Sequence, residues 1–268
     1  MGLPQKIRFL RKRTFHINPE GQLRMFISGE GGMGKSKLVE AIVLHARMVY
    51  GHDGSQYGYV LVIGPTGISA FNVGGRTIQS ALHTMQLRTW KNDPKFLQKI
   101  QTQLGMVRLL VIDEVSMTGA NMTNDIGNVF KLAKNQPSKI LGGIHFVLLG
   151  DFYQLPPVKK FLNYPLYTQK QDRAKIKCDR NLAGLENVYD QITTFVELVH
   201  KFRAQKDPSY AHHLQLLRKG MTTADQEEYF KTRTFESLDC GEITSLPADT
   251  LFVASTKKKL CSDKSYSS

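Results

Sequence analysis

With 268 residues, 41% hydrophobic and 22% charged, the chain has the composition of a folded globular protein, which excludes wholesale disorder. Its 36 Lys+Arg against 23 Asp+Glu leave a net charge of +13 at neutral pH, which favours a polyanionic partner, nucleic acid being the commonest. Cys178, Cys240 and Cys261 form neither a CxxC pair nor a Cys/His cluster, so neither a zinc finger nor a disulfide framework is indicated, and a reducing compartment fits.

In chain order, residues 1–20 form a basic arm, with Lys6, Arg8, Arg11, Lys12 and Arg13 ahead of any acid. A localisation signal, a nucleic-acid arm and a frayed terminus all fit that pattern. The arm has no apolar h-region, and Lys6 stands where a myristoylation signal needs Ser or Thr. No apolar run approaches the ~20 residues that span a bilayer, so a soluble protein is expected.

From Leu23 onward, short apolar runs alternate with amphipathic stretches. LRMFIS (23–28), YVLVIG (59–64), VRLLVID (107–113), IHFVLLGD (144–151) and TTFVELV (193–199) read as strands. KLVEAIVLHARMVY (37–50) reads as a helix with Leu38, Ile42, Ala46 and Val49 on one face; SAFNVGGRTIQSALH (69–83) reads as mixed helix and loop. A further helical stretch is expected between the third and fourth strands. Strands apolar throughout and separated by helices predict an α/β fold, a parallel sheet covered on both faces. Residues 153–192 read as an excursion from that sheet, and ADTLFVAST (248–256) as one more strand.

Gly29-Glu30-Gly31-Gly32-Met33-Gly34-Lys35-Ser36 matches GxxxxGK[ST] between a strand and a helix, the context a phosphate-binding P-loop requires. Glycines there let backbone N–H groups turn toward phosphates, and the helix that follows, beginning Lys37, points its positive end at the same anion. Lys35 reaches the β- and γ-phosphates of ATP, and the Ser36 hydroxyl ligates Mg2+. Asp113 and Glu114 end an apolar strand behind this loop. That position suits a metal ligand (Asp113) and a base for the attacking water (Glu114). Gln154, in a loop stiffened by Pro156 and Pro157, can sense the γ-phosphate or act as an ordinary loop residue.

Taken together, GEGGMGKS (29–36), IGPTGISAFNVGGRTIQSALH (63–83), VIDEVSM (111–117), LLGDFYQLPPV (148–158) and ELVHKFR (197–203) resemble the Pif/RecD-like superfamily-1 DNA helicases, in particular the Pif-type branch that includes Helitron-transposon helicases. The resemblance runs over roughly residues 22–255 and implies a RecA-like P-loop NTPase domain over 21–247, with 248–268 opening a second such domain. It implies ATP hydrolysis coupled to movement along single-stranded DNA with 5′-to-3′ polarity, in the nucleus or alternatively the mitochondrion. By the same likeness Gln154 is the γ-phosphate sensor and Arg203 an arginine that contacts the γ-phosphate. Pro65, Thr66, Asn72, Gly75 and Thr77 would grip the DNA strand. The chain departs from the family at Ile68, usually small or basic, and at Gln79, usually His. Gln22 stands too close to the P-loop for the family's adenine-reading glutamine. A generic P-loop ATPase and a non-enzymatic nucleic-acid-binding remnant are the rival readings.

Overall fold

The computed structural model describes residues 21–51, 58–83, 93–157, 165–167, 188–200, 202 and 207–232. The basic arm, Arg203, most of the excursion and the expected strand over 248–256 lie outside them. By internal contacts the chain divides into two compact units, Met1–Pro208 and Ser209–Ser268.

The first unit is built on a six-stranded parallel sheet: β1 Arg24–Ser28, β2 Val60–Gly64, β3 Arg76–Thr77, β4 Leu109–Ile112, β5 His145–Gly150 and β6 Thr194–Glu197, in spatial order β3-β2-β4-β5-β1-β6. Among the described residues the α-helices of this unit are α1 Lys35–Tyr50, α2 Gly67–Asn72, α3 Ile78–Leu82, α4 Pro94–Leu104 and α5 Ala120–Ala133.

The central strands are apolar throughout because each side of the sheet is covered. Met25 and Ile27 of β1 pack with Leu38, Val39, Ile42 and Ala46 of α1 on one face. Phe26 enters the cluster on the other face, with Ile100 of α4 and Ile126, Val129 and Phe130 of α5. A pleated strand sends successive side chains to opposite sides, so both sets must be apolar.

Several details differ from the sequence expectation. α1 starts at Lys35 rather than Lys37, and its buried face runs through Val39. Val49 is 55% exposed although the helical period sets it on the same stripe as Leu38, Ile42 and Ala46; it stands in the last turn of α1. β6 is an edge strand of alternating exposure, with Phe195 outward, rather than a strand buried on both sides. A two-residue strand, β3, lies within the stretch read as helix and loop. α4 went unrecognised, although Asp93 caps it, Pro94 opens it, and Phe96, Ile100 and Leu104 bury one face.

The second unit is described over two helices, α6 Pro208–Arg218 and α7 Ala224–Lys231. Thr223 and Gln226 form a capping box at the start of α7, and the ring of His213 stacks on Tyr229 at 3.7 Å.

Candidate functional site

The carboxyl ends of β1, β2, β4 and β5 open on one cleft of about 670 Å3. The chain leaves β1 for β2 on one side of the sheet and returns to β6 on the other, so the loop after β1 sits where the strand order reverses.

Gly29–Ser36 occupies that reversal. Gly32 and Gly34 hold φ of 81° and 85°, a left-handed geometry that a Cβ would penalise. α1 begins with no side-chain cap and no acid in its first turn, so its N-terminal amides are undiminished as an anion site. Lys35 is only 8% exposed, and its Nζ turns back to donate to the carbonyls of Gly29 (2.8 Å) and Glu30 (3.2 Å). Lys37, two residues on, instead points outward and pairs with Glu40 at 2.9 Å. Met33 is buried and its Sδ accepts the amide of Glu30.

The loop is braced by its neighbours. The Gly29 amide donates to Gly150 O at the end of β5, the Leu198 amide to Ser28 O, and the Phe202 amide to Gly32 O at 3.2 Å. The backbone immediately before Arg203 is therefore tied to the P-loop, while Arg203 itself lies outside the described residues.

Asp113 follows β4, 4% exposed, with its amide donating to Ile63 O. Burial pushes its carboxyl up to about 6 from 3.8; the Glu114 amide lowers it, the Glu114 carboxylate raises it, and the Lys35 ammonium lowers it. Its Oδ1 is buried without a hydrogen-bond partner. An orphaned carboxylate oxygen in a cleft that Ser36 also lines is the hard-oxygen donor set that suits Mg2+. Glu114 is held at φ 50°, a left-handed conformation rare outside glycine, and caps the short 3-10 turn Val115–Met117.

Burial of Asp113 has a measurable consequence. Its carboxyl is raised in the folded state, so its charge costs stability above pH 6, and that cost vanishes below about pH 4. Asp113→Asn is therefore expected to gain on the wild type by on the order of 2 kcal/mol between pH 4 and pH 7.5, in urea melts without divalent cation. A stability difference flat across that window would contradict a buried, charged Asp113.

Gln154 sits across the P-loop, its Nε2 lying 3.9 Å from where a Cβ on Gly31 would stand. Its amide donates to Asp151 O, and the Tyr153 amide to Asp151 Oδ1, so the buried Asp151 shapes the turn that presents it. The structure thus brings Ser36, Asp113, Glu114 and Gln154 to one cleft.

The same cleft continues to Thr66 and Asn72 around α2. Thr66 caps α2, its Oγ1 accepting the Ser69 amide at 3.2 Å, and Thr77 caps α3 through Ser80 in the same way. Pro65 lies between β2 and that cap, half-buried. Gly75 has a local reason to be glycine: a Cβ there would lie 2.6 Å from Val62 O. Asn72 is exposed at the C-terminal end of α2.

Sequence reasoning passed over the apolar rim. Ile68 (77% exposed) and Leu155 (69%) line the cleft, as does Tyr153, and Phe71 stands out beside them on α2. Their signal was present, since large apolar residues flank Gln154 in its loop and precede Asn72 in a helix of six residues, too short to bury them all. Within the excursion, Tyr167 packs edge-on against Phe152 at 5.1 Å. Gln22 donates to Ile140 O and Ile144 O at the opposite end of the sheet, which removes it from any nucleotide at the P-loop.

Comparison with known proteins agrees with this geometry. The family described as PIF1-like helicase matches residues 14–169. The chain is 30% identical over 222 residues to the ATP-dependent DNA helicase PIF1 of Candida albicans, covering 81% of this chain and 23% of that protein. It is 28% identical over 249 residues to the ATP-dependent DNA helicase Pif1 of Campylobacter jejuni, covering 88% and 49%. The crystal structure of the Candida albicans Pif1 helicase superposes with a TM-score of 0.62 at 27% identity, over 86% of this chain and 47% of that one. A Bacteroides Pif1 in complex with ADP-AlF4 shares the fold, with a TM-score of 0.63 at 22% identity, over 98% and 56%.

Proposed function

Because the chain belongs to the PIF1-like helicase family, we propose that it forms the ATP-hydrolysing first motor domain of a DNA helicase. The chain spans 23% and 28% of the length of two curated fungal relatives, so unwinding belongs to a protein with both motor domains. Residues 21–247 would be the ATPase domain, 248–268 the opening of the second, and 1–20 a basic arm.

One observation carries the reading: a single cleft joins Ser36, Asp113, Glu114 and Gln154 to Thr66 and Asn72. Phosphate chemistry at one end and a strand of nucleic acid at the other would share a wall, which is what coupling hydrolysis to grip requires.

In this scheme the P-loop amides and Lys35 hold the β- and γ-phosphates. Ser36 and Asp113 would hold Mg2+, which supplies charge neutralisation on the phosphate oxygens. Glu114 accepts the proton of the attacking water, so phosphate goes to water rather than to an acceptor hydroxyl. Gln154 senses the γ-phosphate, and Arg203, next in the chain after Phe202, neutralises charge developing on the transferred phosphoryl group. Gly29 to Gly34, with Glu30 and Met33, shape the cradle, and the Lys37 amide lies in the first turn above it. Pro65, Thr66, Asn72, Gly75 and Thr77 would present backbone and polar groups to single-stranded DNA, with Ile68, Phe71 and Tyr153 offering apolar surface to its bases. Family members come from bacteria as well as fungi, so a nuclear setting, or a mitochondrial one, is a separate part of this proposal.

The test is phosphate release from ATP with and without single-stranded DNA. Stimulation of about tenfold or more by the strand is expected, as the shared cleft demands. Hydrolysis indifferent to DNA would leave a generic P-loop ATPase, and binding of DNA without nucleotide would leave the non-enzymatic reading.

A further inference from the structure

At the opposite end of the sheet, where the strands begin, lies a second cleft of about 690 Å3. Arg24 opens β1, Arg108 immediately precedes β4 and His145 opens β5, three neighbouring strands in the sheet. Lys134, just past α5, and Lys139, beside the Ile140–Gly143 turn, complete the lining. Among the described residues no Asp, Glu, Phe, Tyr or Trp lines it.

Four cations without a carboxylate among them are costly to bring together unless an anion joins them. Among the described residues none of the four makes an ion pair, and their hydrogen bonds go to neutral groups. Arg24 Nε donates to Gln22 Oε1 at 3.0 Å, and Gln22 is itself anchored on Ile140 O and Ile144 O. That chain of bonds fixes the guanidinium while leaving its two terminal amino groups to other partners. Lys134 Nζ donates to Gly105 O at the end of α4. His145 Nδ1 accepts the Leu23 amide, which places the neutral ring's proton on Nε2 as a further donor. The crowding registers in the titrations: burial and then Arg108 push the Lys134 ammonium down to about 8, and the same two causes lower His145. Gly143, at φ 82°, leaves room for the Lys139 stem, whose Cδ would lie 3.0 Å from a Cβ there.

We propose that this cleft binds the phosphodiester backbone of duplex nucleic acid, a site separate from the nucleotide cleft and from the strand-gripping residues around α2. An extended polyanion fits better than a free phosphate, because Arg24 and Arg108 flank β5 from the strands on either side, about 10 Å apart at two strand spacings. A duplex fits better than a single strand, because the lining holds no aromatic face for an unstacked base. Binding there is sequence-independent, carried by charge and by the Arg24, Lys134 and His145 donors.

The experiment pairs Arg108→Glu/Lys139→Glu, both exposed side chains, with the charge-matched control Lys95→Glu/Lys99→Glu on the outer side of α4. Affinity for a blunt-ended duplex DNA is measured by anisotropy against salt, with ATP and single-stranded DNA binding in parallel. The cleft variant is expected to lose about tenfold or more in duplex affinity and about 2 in the slope of log affinity against log salt, with the control close to wild type. Its ATP affinity and single-strand affinity should stay unchanged, so failure of the nucleotide reading would show separately. Equal losses in the control would mean diffuse surface charge and overturn the site. Unchanged duplex affinity, or binding of inorganic phosphate at the cleft that duplex DNA does not displace, would also overturn it. So would a single-strand loss as large as the duplex loss.

Discussion

Glu114→Gln is expected to cut ATP turnover by about 10²–10⁴-fold while leaving nucleotide affinity within a few-fold. The side chain belongs to a residue held at φ 50°, and such left-handed strain persists only where the surroundings over-determine it. Here the surroundings are β4 on one side, where Asp113 is hydrogen-bonded to Ile63, and the Val115–Met117 turn on the other. They fix a half-buried carboxylate at the wall of the cleft, beside a buried one. Gln keeps the size and the hydrogen bonding but cannot take a proton from water. It also removes one of the charges that raises the Asp113 carboxyl, so that carboxyl, proposed to hold Mg2+, should ionise more readily and nucleotide should stay bound. Single-turnover phosphate release and fluorescent-nucleotide binding separate the two effects. A parallel fall in affinity and rate would mean that Glu114 only shapes the site.

Lys35→Ala should weaken ATP binding by about 100-fold or more and ADP binding less, since on the proposed reading the ammonium would reach the β- and γ-phosphates together. In the structure that ammonium is buried and bonded to two neutral carbonyls, Gly29 O and Glu30 O. A desolvated cation on neutral partners gains most when a polyanion arrives, which is why the loss should grow with each phosphate. The same substitution removes a charge that lowers the Asp113 carboxyl, so Asp113 should titrate still higher. Metal-dependent nucleotide binding should then need a higher pH than in the wild type. Isothermal titration with ATP, ADP and AMP across pH 6 to 8.5 reads both effects. Equal losses for all three nucleotides would place Lys35 outside the phosphate contacts.

The parallel sheet was legible because its strands are apolar at every position. That pattern survives only where both faces are covered, and β1, β2, β4 and β5 show it. The P-loop was legible for a related reason: glycines at left-handed positions, then Lys35 and Ser36, leave few alternatives to a phosphate cradle. The DE pair and the GDFYQLPPV loop were legible as candidates, since charged and amide groups stood at strand ends. What failed locally was the register of partial burial. Val49 lay on its expected face but exposed in the last turn of its helix, and β6 lay at the edge with half its side chains in solvent. Exposure at an edge depends on which strand has no further neighbour, and no local pattern states that.

The sequence by itself determined the fold class, the phosphate loop and the identities of the groups around it, because each rests on contacts between residues close in the chain or on one repeating period. Only the tertiary structure decided which distant residues share a cleft. It set Gln154 beside Gly31, joined Asn72 to Asp113, turned the Thr66 and Thr77 hydroxyls to helix caps, and gathered Arg24, Arg108, Lys134 and His145 at the far end of the sheet. Those meetings follow from a strand order of β3-β2-β4-β5-β1-β6, which brings together residues more than a hundred positions apart. Strand order is settled by how the two faces pack against their helices, and that packing is a property of the whole domain.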